Sequence, residues 1–333
     1  MNTYLNSLNQ ALHQSFEADT SVYLLGEDIV DPYGGAFKVS KGLSTAFPER
    51  VFSTPISEGG ITGVAAGMAL RGFKPVVEIM FGDFLTLCVD QIVNHIAKFR
   101  GMYNGQVDVP IVIRTPMGGG RGYGATHSQS IEKMFLGIPG VQVVAPSHLH
   151  DPGAQLCYSI LEKTTPVLFI EHKLLYPTTL LSGTEAMSLV YYDEIEGFPT
   201  VGISNFSNGD PDVTLIAYGG MSREIVPLMQ ELADEEIQVL AVFPASLSPL
   251  PIETLMEAAG RSGKVIIVEE GTAGFNWGSE VSSKLYERLF NRLSRPIHCL
   301  ASAAAIIPAA RELEDAALVN AVQIEAAIME ILA

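Results

Sequence analysis

One carboxylate stands at the start of a predicted helix that is rich in glycine. Glu58 precedes Gly59, Gly63 and Gly67, so that glycine recurs at every fourth residue. Residues four apart share one helix face, and each glycine costs a helix about 1 kcal/mol relative to alanine. The pattern predicts that another backbone comes very close, with Glu58 in an interface active site. The alternative is a crowded α/β core, with Glu58 as a solvated acid favoured by the helix dipole.

A second candidate site is a glycine-rich loop that ends in a histidine. Its five glycines are Gly118, Gly119, Gly120, Gly122 and Gly124. Such a loop lets the backbone pass close to a ligand or a partner, and His127 could then act as acid, base or anion partner. The alternative is a flexible loop with a structural histidine. Because the spacing differs from nucleotide-binding loops, we exclude nucleotide binding through it.

Two further groups follow predicted strands. Phe81 and Phe84 come just after one strand and could stack on a heterocycle at the edge of the sheet, although a core aromatic pair is the commoner case. Glu27 belongs to an acidic turn after another strand. This turn could contact a ligand or cap the next segment.

Two other pairs carry weaker signals. His148 and His150 share a His-x-His spacing, but no third ligand cluster is evident, so we predict surface histidines and no metal site. Glu269 and Glu270 end a strand. We predict that they touch a partner or solvent.

Strands alternate with helices along most of the chain, which predicts parallel sheets covered on both faces. The expected fold is α/β, with two doubly wound domains. The predicted domains are residues 1–180 and 213–333, joined by a turn-rich linker at 181–212 with room for a small hairpin. The site candidates depend on strands predicted at 21–28, 75–80, 109–116 and 264–271, and on a helix at 84–101.

Composition excludes several functional classes. The chain has 333 residues, 47% of them hydrophobic, and a net charge of −17. This charge disfavours nucleic acid and anionic membranes. Cys88, Cys157 and Cys299 show no paired spacing and are predicted to be small core residues in a reducing compartment. The first residues lack the pattern of a signal peptide, so a cytoplasmic protein is expected.

Taken together, these motifs resemble the β subunit of the E1 component of 2-oxoacid dehydrogenases, a relative of the transketolases. The landmarks are GEDI, GGAFKVSKGL, ERVFSTPISEGG, VVEIMFGDF, GGGRGYGATHSQS, PGVQVVAP and VIIVEEG. They run over nearly the whole chain. The resemblance implies a pyrimidine-binding domain that binds thiamine diphosphate, followed by a domain of the transketolase C-terminal type.

The resemblance also implies roles for single residues. Glu58, four residues and then Gly63-Val64-Ala65-Ala66-Gly67 match the family motif, in which the glutamate hydrogen-bonds N1′ of the cofactor's aminopyrimidine. Phe84 corresponds to the aromatic residue on the pyrimidine ring. His127 corresponds to a histidine near the reacting carbon that assists acyl transfer to lipoamide. Glu27 and Met80 are expected to line the cofactor.

The family's Mg²⁺ and diphosphate half-site is absent from the sequence. The resemblance therefore implies an α-type partner that brings the Mg²⁺ ligands, in an α₂β₂ heterotetramer. The implied reaction is decarboxylation of a 2-oxoacid such as pyruvate, or cleavage of acetoin, with transfer of the acyl group to lipoamide. A lipoyl-bearing E2 acyltransferase is a further candidate partner, although the segment ASAAAIIPAARELED departs from the usual family ending. The alternatives are a split transketolase-like enzyme that forms C–C bonds without lipoamide, and a non-catalytic scaffold subunit.

Overall fold

The chain forms two compact units in a computed structural model that describes residues 2–181 and 187–333. The first unit comprises the chain up to Met117 together with Phe135–Val144 and Asp151–Leu180. The second comprises Gly118–Met134, Ala145–His150 and Leu181–Ala333. The glycine-rich loop thus belongs to the second unit. Residues 182–186 of the predicted linker lie outside the described residues, and the predicted domain limits stay a prediction.

The first unit contains a sheet of parallel strands. Its strands are β1 (Val22–Gly26), β2 (Val51–Ser53), β3 (Lys74–Glu78), β4 (Val112–Met117), β5 (Gln142–Val144) and β6 (Val167–His172). They lie in the order β5-β6-β4-β3-β1-β2. Every residue of β4, β5 and β6 is buried, as the unbroken apolar runs predict for a sheet covered on both faces.

Helices connect these strands. They are α1 (Tyr4–Ala18), α2 (Leu43–Ala46), α3 (Glu58–Leu70), α4 (Phe99–Met102) and α5 (Pro152–Leu161). Two begin with a side-chain cap, since Thr3 accepts from the N–H of Asn6 and Asp151 from that of Ala154. Such caps satisfy backbone donors that a helix start leaves without a partner.

The single helix predicted at 84–101 is wrong in detail. The structure has a 3₁₀ helix at Gly82–Cys88, a π-helical turn at Gln91–Ile96 and then α4. Leu85 and Cys88 are both buried, and their spacing of three suits the three-residue repeat of a 3₁₀ helix. The tighter turn brings Cys88 to the inner side of this segment.

The second unit contains a mixed sheet. The strands of this unit are β7 (Ser188–Tyr191), β8 (Thr200–Ser204), β9 (Val213–Ala217), β10 (Val239–Pro244), β11 (Ser246–Ser248), β12 (Val265–Thr272) and β13 (His298–Ser302), and all except β11 belong to this sheet. Six of them lie in the order β13-β12-β9-β10-β8-β7. β8 runs antiparallel to both β10 and β7, so the expectation of a wholly parallel sheet is wrong at this edge. The hairpin β7–β8 lies in the segment predicted as linker.

Helices and an apolar core complete the second unit. The helices are α6 (Ser222–Asp234), α7 (Ile252–Ser262), α8 (Trp277–Leu289), α9 (Arg311–Ala317) and α10 (Ala321–Leu332). β9 and β10 pack with the apolar faces of α6 and α10 in one cluster of buried residues. Across residues 2–181 and 187–333, no helix is long and apolar enough to span a bilayer.

The cysteines differ in exposure. Cys88 is buried, Cys157 is half-buried and Cys299 is exposed. The prediction of three core cysteines is therefore wrong for Cys299, because it lies on the edge strand β13, where only Ser302 is buried.

Candidate active site

Two glutamates of the first unit lie together at the carboxyl edge of its sheet. Glu27 follows the last residue of β1, and Glu58 opens α3 just after β2. Because β1 and β2 are parallel neighbours, their carboxyl ends meet at the same edge. Only 8% of Glu27 and 6% of Glu58 are exposed. Burial raises the pKa of Glu27, and the nearby charge of Glu58 raises it further.

The Glu27 carboxylate is only partly satisfied by the protein. The backbone N–H of Ser57 hydrogen-bonds to it, but Oε1 is buried and has no hydrogen-bond partner among the described residues. A buried polar atom without a partner costs about 1–3 kcal/mol. This oxygen is therefore placed to accept a hydrogen bond from a ligand or to carry a proton itself.

Cys88 connects this pair to the segment that carries Phe84. The hydroxyl of Thr62 on α3 lies 3.2 Å from the Cys88 sulfur, which lies 4.0 Å from the Phe84 carbonyl oxygen. Burial raises the pKa of Cys88 to about 11, and the charges of Glu58 and Glu27 add to this shift. The thiol is thus kept protonated and unreactive. The segment that carries Phe84 therefore packs against α3, the helix that Glu58 opens.

Aromatic rings extend from Phe84 along the same edge. The Phe84 ring lies 6.0 Å from that of Phe81, which lies 5.6 Å from Phe37, and Phe37 lies 5.2 Å from Tyr176. Edge-to-face and tilted contacts of this kind are favourable. Met80 directly precedes Phe81 and is half-buried. The roles predicted for Phe84 and Met80 toward a cofactor stay predictions.

A buried ionic network supports this edge, and sequence reasoning missed it. Arg114 on β4 donates to both oxygens of Glu171 on β6, over 2.7 Å and 2.6 Å, and also to Glu78 on β3. The Tyr176 hydroxyl donates to Glu171 over 2.7 Å. The two carboxylates raise the pKa of Arg114 and keep it charged. The signal for this network was a charged residue at the end of an otherwise apolar strand, as in VVE, IVIR and LFIE.

The glycine-rich loop of the second unit is held by carboxylates. Gly118, Gly120, Gly122 and Gly124 all have positive φ angles, which glycine adopts at little cost. Successive N–H groups in such a loop form a concavity that suits an anion. In this protein two of its own carboxylates occupy the concavity. Glu270 accepts from the Gly119 N–H, and Glu314 accepts from the N–H groups of Gly120 and Gly122.

His127 lies on this loop and belongs to the second unit, whereas Glu58 belongs to the first. The imidazole is half-buried, its Nδ1 atom is 3.0 Å from the Thr126 hydroxyl, and its backbone N–H donates to the Gly124 carbonyl. The local turn thus fixes the backbone that carries the ring. Its predicted catalytic role stays a prediction.

The prediction of surface histidines is wrong. Only 6% of His148 and 3% of His150 are exposed, and burial lowers both pKa values to about 4. The Nδ1 atom of His148 lies 2.8 Å from the Ser222 hydroxyl, and that of His150 accepts from the N–H of Ser147. Both are neutral structural groups at pH 7. Within the described ranges, no group of three or more His, Cys, Asp or Glu side chains could hold a metal ion.

The prediction that Glu269 and Glu270 touch a partner or solvent is wrong for Glu269, whereas for the half-buried Glu270 it stays a prediction. Glu269 is 2% exposed and accepts from the Gly278 N–H over 2.7 Å. Burial raises its pKa to about 7, and nearby Glu132 adds to this effect. Glu132 in turn accepts a short hydrogen bond from the Tyr218 hydroxyl. Backbone N–H groups of the second unit thus donate to both strand-end glutamates, that of Gly278 to Glu269 and that of Gly119 to Glu270.

Two family descriptions match this chain. "Transketolase, pyrimidine binding domain" matches residues 2–179, and "Transketolase, C-terminal domain" matches residues 203–324. The chain is 34% identical to the β subunit of an acetoin:2,6-dichlorophenolindophenol oxidoreductase from Cupriavidus necator, over 96% of this chain and 94% of the relative. The chain belongs to the family of E1 β subunits. The resemblance in its motifs is thereby confirmed.

Other E1 β subunits act on other substrates at the same level of similarity. The 2-oxoisovalerate dehydrogenase β subunit of Bacillus subtilis is 34% identical over 99% of this chain and 98% of its own length. A mitochondrial pyruvate dehydrogenase E1 β subunit of Arabidopsis thaliana is also 34% identical, over 95% and 85% of the two chains. Family members are thus oxidoreductase subunits, and identity alone does not select the substrate.

A solved structure confirms the predicted fold. A split-gene transketolase, described as an inactive β4 tetramer, superposes with a TM-score of 0.70 over 99% of this chain and 97% of its own. Sequence identity is 22%. The predicted pair of α/β domains, pyrimidine-binding first and transketolase C-terminal type second, is confirmed.

Proposed function

We propose that this chain is the β subunit of a thiamine diphosphate-dependent dehydrogenase that acts on a 2-oxoacid or on acetoin and passes the acyl group to lipoamide. The observation that supports it best is the buried pair Glu27–Glu58, in which one carboxylate oxygen of Glu27 has no partner in the described structure. A carboxylate in this place suits a cofactor with a polar ring edge and an aromatic face.

The residues of the first unit fit the pyrimidine half of thiamine diphosphate. Glu58 would hydrogen-bond the ring nitrogen N1′, Phe84 would lie on the ring, and Glu27 and Met80 would line the same cavity. When bound, the cofactor supplies an electron sink for the carbanion left after bond cleavage. The chain's own part is to hold the ring and to manage its protons.

The two glutamates are proposed to control the protonation of the cofactor's pyrimidine ring. Two neighbouring carboxylates disfavour each other's ionisation, so one of them tends to keep a proton. Glu27 is the member whose pKa is raised, by burial first and by Glu58 second. We infer that Glu27 is the member of the pair that takes up a proton more readily, while Glu58 hydrogen-bonds the cofactor.

His127 is proposed to act after the bond cleavage. A histidine titrates near neutral pH and can donate a proton to a sulfur atom or steer it. The glycine-rich loop that carries it is the type of segment that closes over a bound reactant. Its proposed task is transfer of the acyl group to lipoamide.

An α-type partner completes the proposal. Mg²⁺ prefers oxygen ligands in an octahedral arrangement, and the described residues offer no cluster of three acidic, histidine or cysteine side chains. We propose that the partner brings the Mg²⁺ and diphosphate ligands in an α₂β₂ heterotetramer, with a lipoyl-bearing E2 acyltransferase as acceptor. Free Cys88, Cys157 and Cys299 suit a reducing compartment such as the cytoplasm.

Purified complex with the α-type partner tests the reaction. Pyruvate, 2-oxoisovalerate and acetoin are each supplied with thiamine diphosphate and Mg²⁺, and reduction of dichlorophenolindophenol is followed. A lipoyl domain is then offered as acceptor. We expect one substrate to reduce the dye and to acylate the lipoyl domain. A product formed only with an aldehyde acceptor would favour the split transketolase-like alternative, and a complex with no turnover would favour the scaffold.

The isolated chain tests the division of the cofactor site. We expect calorimetry to detect weak binding of thiamine diphosphate, or none, with little effect of Mg²⁺, because the ligands for metal and diphosphate come from the partner. The same titration on the purified complex is the positive control. Tight, Mg²⁺-dependent binding to the isolated chain would contradict the proposed division.

A further inference from the structure

The glycine-rich loop depends on one glutamate that is far away in sequence. Gly120 and Glu314 are separated by 194 residues. The Glu314 side chain is 1% exposed, and its two oxygens accept from the N–H groups of Gly120 and Gly122 over 2.9 Å and 2.8 Å. A bidentate contact of a charged acceptor with two backbone donors is strong and directional.

The surroundings of Glu314 make this contact specific. A Cβ atom at Gly119 would lie 2.6 Å from the Leu318 side chain and 3.3 Å from Glu314, so a larger residue there would require the Leu318 side chain to shift. A Cβ atom at Gly122 would lie 3.2 Å from the Ala309 carbonyl oxygen. The loop thus rests on the segment from Ala309 to Leu318. Residues 309–315 of this segment belong to the stretch ASAAAIIPAARELED, which is predicted to depart from the usual family ending.

A second carboxylate holds the loop where it begins. Glu270 on β12 accepts from the Gly119 N–H over 2.6 Å, and the Ser130 hydroxyl lies 3.4 Å from the same oxygen. Three donors of the loop are therefore fixed by two carboxylates of the second unit. The next residues lead through Gly124 to His127, whose backbone N–H donates to the Gly124 carbonyl.

We propose that Glu314 is the positioning residue of the loop that carries His127, with Glu270 as its support. Glu314 touches no reacting atom in this proposal and acts through the backbone of Gly120 and Gly122. The inference rests on the proposed function only where it assigns a consequence for acyl transfer. The anchoring of the loop itself can be measured on the isolated chain.

Arg121 provides a direct readout of the anchoring, because it lies between the two glycines that Glu314 holds and is exposed. Trypsin cleaves after Arg121 only when this stretch of backbone leaves its anchored conformation. In Glu314→Gln, an amide N–H₂ group replaces one acceptor and faces a backbone donor. We expect cleavage after Arg121 to accelerate roughly tenfold or more, since a hydrogen bond to a charged acceptor is lost.

Glu312→Gln is the matched control. Glu312 stands in the same first turn of α9, so it carries the same helix-dipole effect, but it is exposed. Cleavage after Arg121 should match wild type in this variant. Equal rates in wild type and Glu314→Gln would overturn the proposal. So would faster cleavage at all sites together with a lowered melting temperature, because Glu314 would then support the unit as a whole.

The assembled complex tests the consequence for catalysis. Glu314→Gln should lower acyl transfer to a lipoyl domain more than dye reduction, and His127→Ala/Glu314→Gln should be no slower than His127→Ala. Additive losses in the double variant would overturn a role through His127. If the complex has no 2-oxoacid or acetoin activity while cleavage after Arg121 still accelerates, the proposed function has failed and the anchoring role stands.

Discussion

The two units use glutamates in different ways. The first unit has the pair Glu27 and Glu58, and the second has the pair Glu270 and Glu314. Glu270 and Glu314 accept from backbone N–H groups of the loop and so fix its shape. Glu27 retains a buried oxygen without a partner in the described structure. The comparison teaches that burial alone does not make a glutamate structural, because a buried oxygen without a partner in the described structure leaves a place for a proton or for a donor from a ligand.

The largest effect is expected for the first pair. Glu58→Gln should lower the turnover of the complex by about 10²–10⁴-fold, the range for loss of a positioned acid–base group. The melting temperature should stay within about a degree or two, because the amide has the size of the carboxyl and ordinary polar changes shift stability little. Steady-state dye reduction and thermal unfolding measure the two quantities.

Glu49→Gln is the control for this variant, since Glu49 is an exposed glutamate of the same unit. It should leave both quantities unchanged. Near-normal turnover in Glu58→Gln would contradict the distinction between the two pairs, because Glu58 would then be a structural glutamate like Glu270 and Glu314.

The second effect concerns the loop that Glu314 anchors. His127→Ala should reduce acyl transfer to a lipoyl domain by roughly 10²-fold, as for removal of a general acid, and dye reduction by much less. Rapid-quench analysis of the acylated lipoyl domain and the dye assay give the two rates. Equal losses at an unchanged melting temperature would instead assign His127 to substrate binding or bond cleavage.

The third effect is a pH dependence of stability in the second unit. The pKa of Glu269 is raised to about 7 in the folded protein, compared with roughly 4.3 in an unfolded chain. The folded state then binds the proton more tightly, so this group's stabilisation is complete below about pH 4 and is lost as pH rises through about 7. Wild type should therefore lose more stability than Glu269→Gln between about pH 5 and pH 8.

Melting curves of both proteins at matched ionic strength measure that difference. In Glu269→Gln, the side-chain amide keeps an acceptor for the Gly278 N–H, which in wild type donates to the carboxylate, so the variant should fold. Parallel pH profiles for the two proteins would show that Glu269 does not carry the proton.

The smallest expected effect is a difference in stability between alanine substitutions at the two ends of α3. A Cβ atom at Gly67 meets nothing within 4 Å, whereas one at Gly59 would lie 3.0 Å from the Leu87 carbonyl oxygen. In the isolated chain, Gly67→Ala should stabilise by up to about 1 kcal/mol through helix propensity, and Gly59→Ala should destabilise. Denaturant titrations measure both.

The same variants test the predicted close approach of another backbone. If a partner packs on Gly67, Gly67→Ala should weaken assembly with the α-type partner even though it stabilises the isolated chain. Sedimentation of the mixed subunits gives this answer. Unchanged assembly would favour the alternative of a helix that is merely crowded within its own unit.

Local patterns in the sequence were sufficient to locate part of the candidate site. Glu58 could be found because a strand, a turn and a glycine-rich helix follow one another within a few residues, and Phe84 because it follows a strand end. Glu314 could not be found in this way. Its partners are 194 and 192 residues away, and a single acidic residue on a short helix gives no sign of what it holds.

The same reasoning explains the errors in the fold. Strands β9, β10 and β12 are long apolar runs and were predicted, whereas β7 is exposed along most of its length and carries no such signal. His148 and His150 were predicted at the surface because no third ligand cluster accompanies their His-x-His spacing. Their burial arises from contacts with Ser222 and Ser147 that form only in the folded chain.

The ionic network of Glu78, Arg114 and Glu171 limits which substitutions and which chimaeras the first unit tolerates. Removal of one member of a buried pair leaves a bare charge and costs about 3–5 kcal/mol, whereas joint replacement by apolar side chains can be neutral. Strands β3, β4 and β6 each contribute one member. We therefore expect substitutions at the three positions to depend on one another, and a chimaera that joins β4 of one relative to β6 of another to fold well only when both segments carry matching charges.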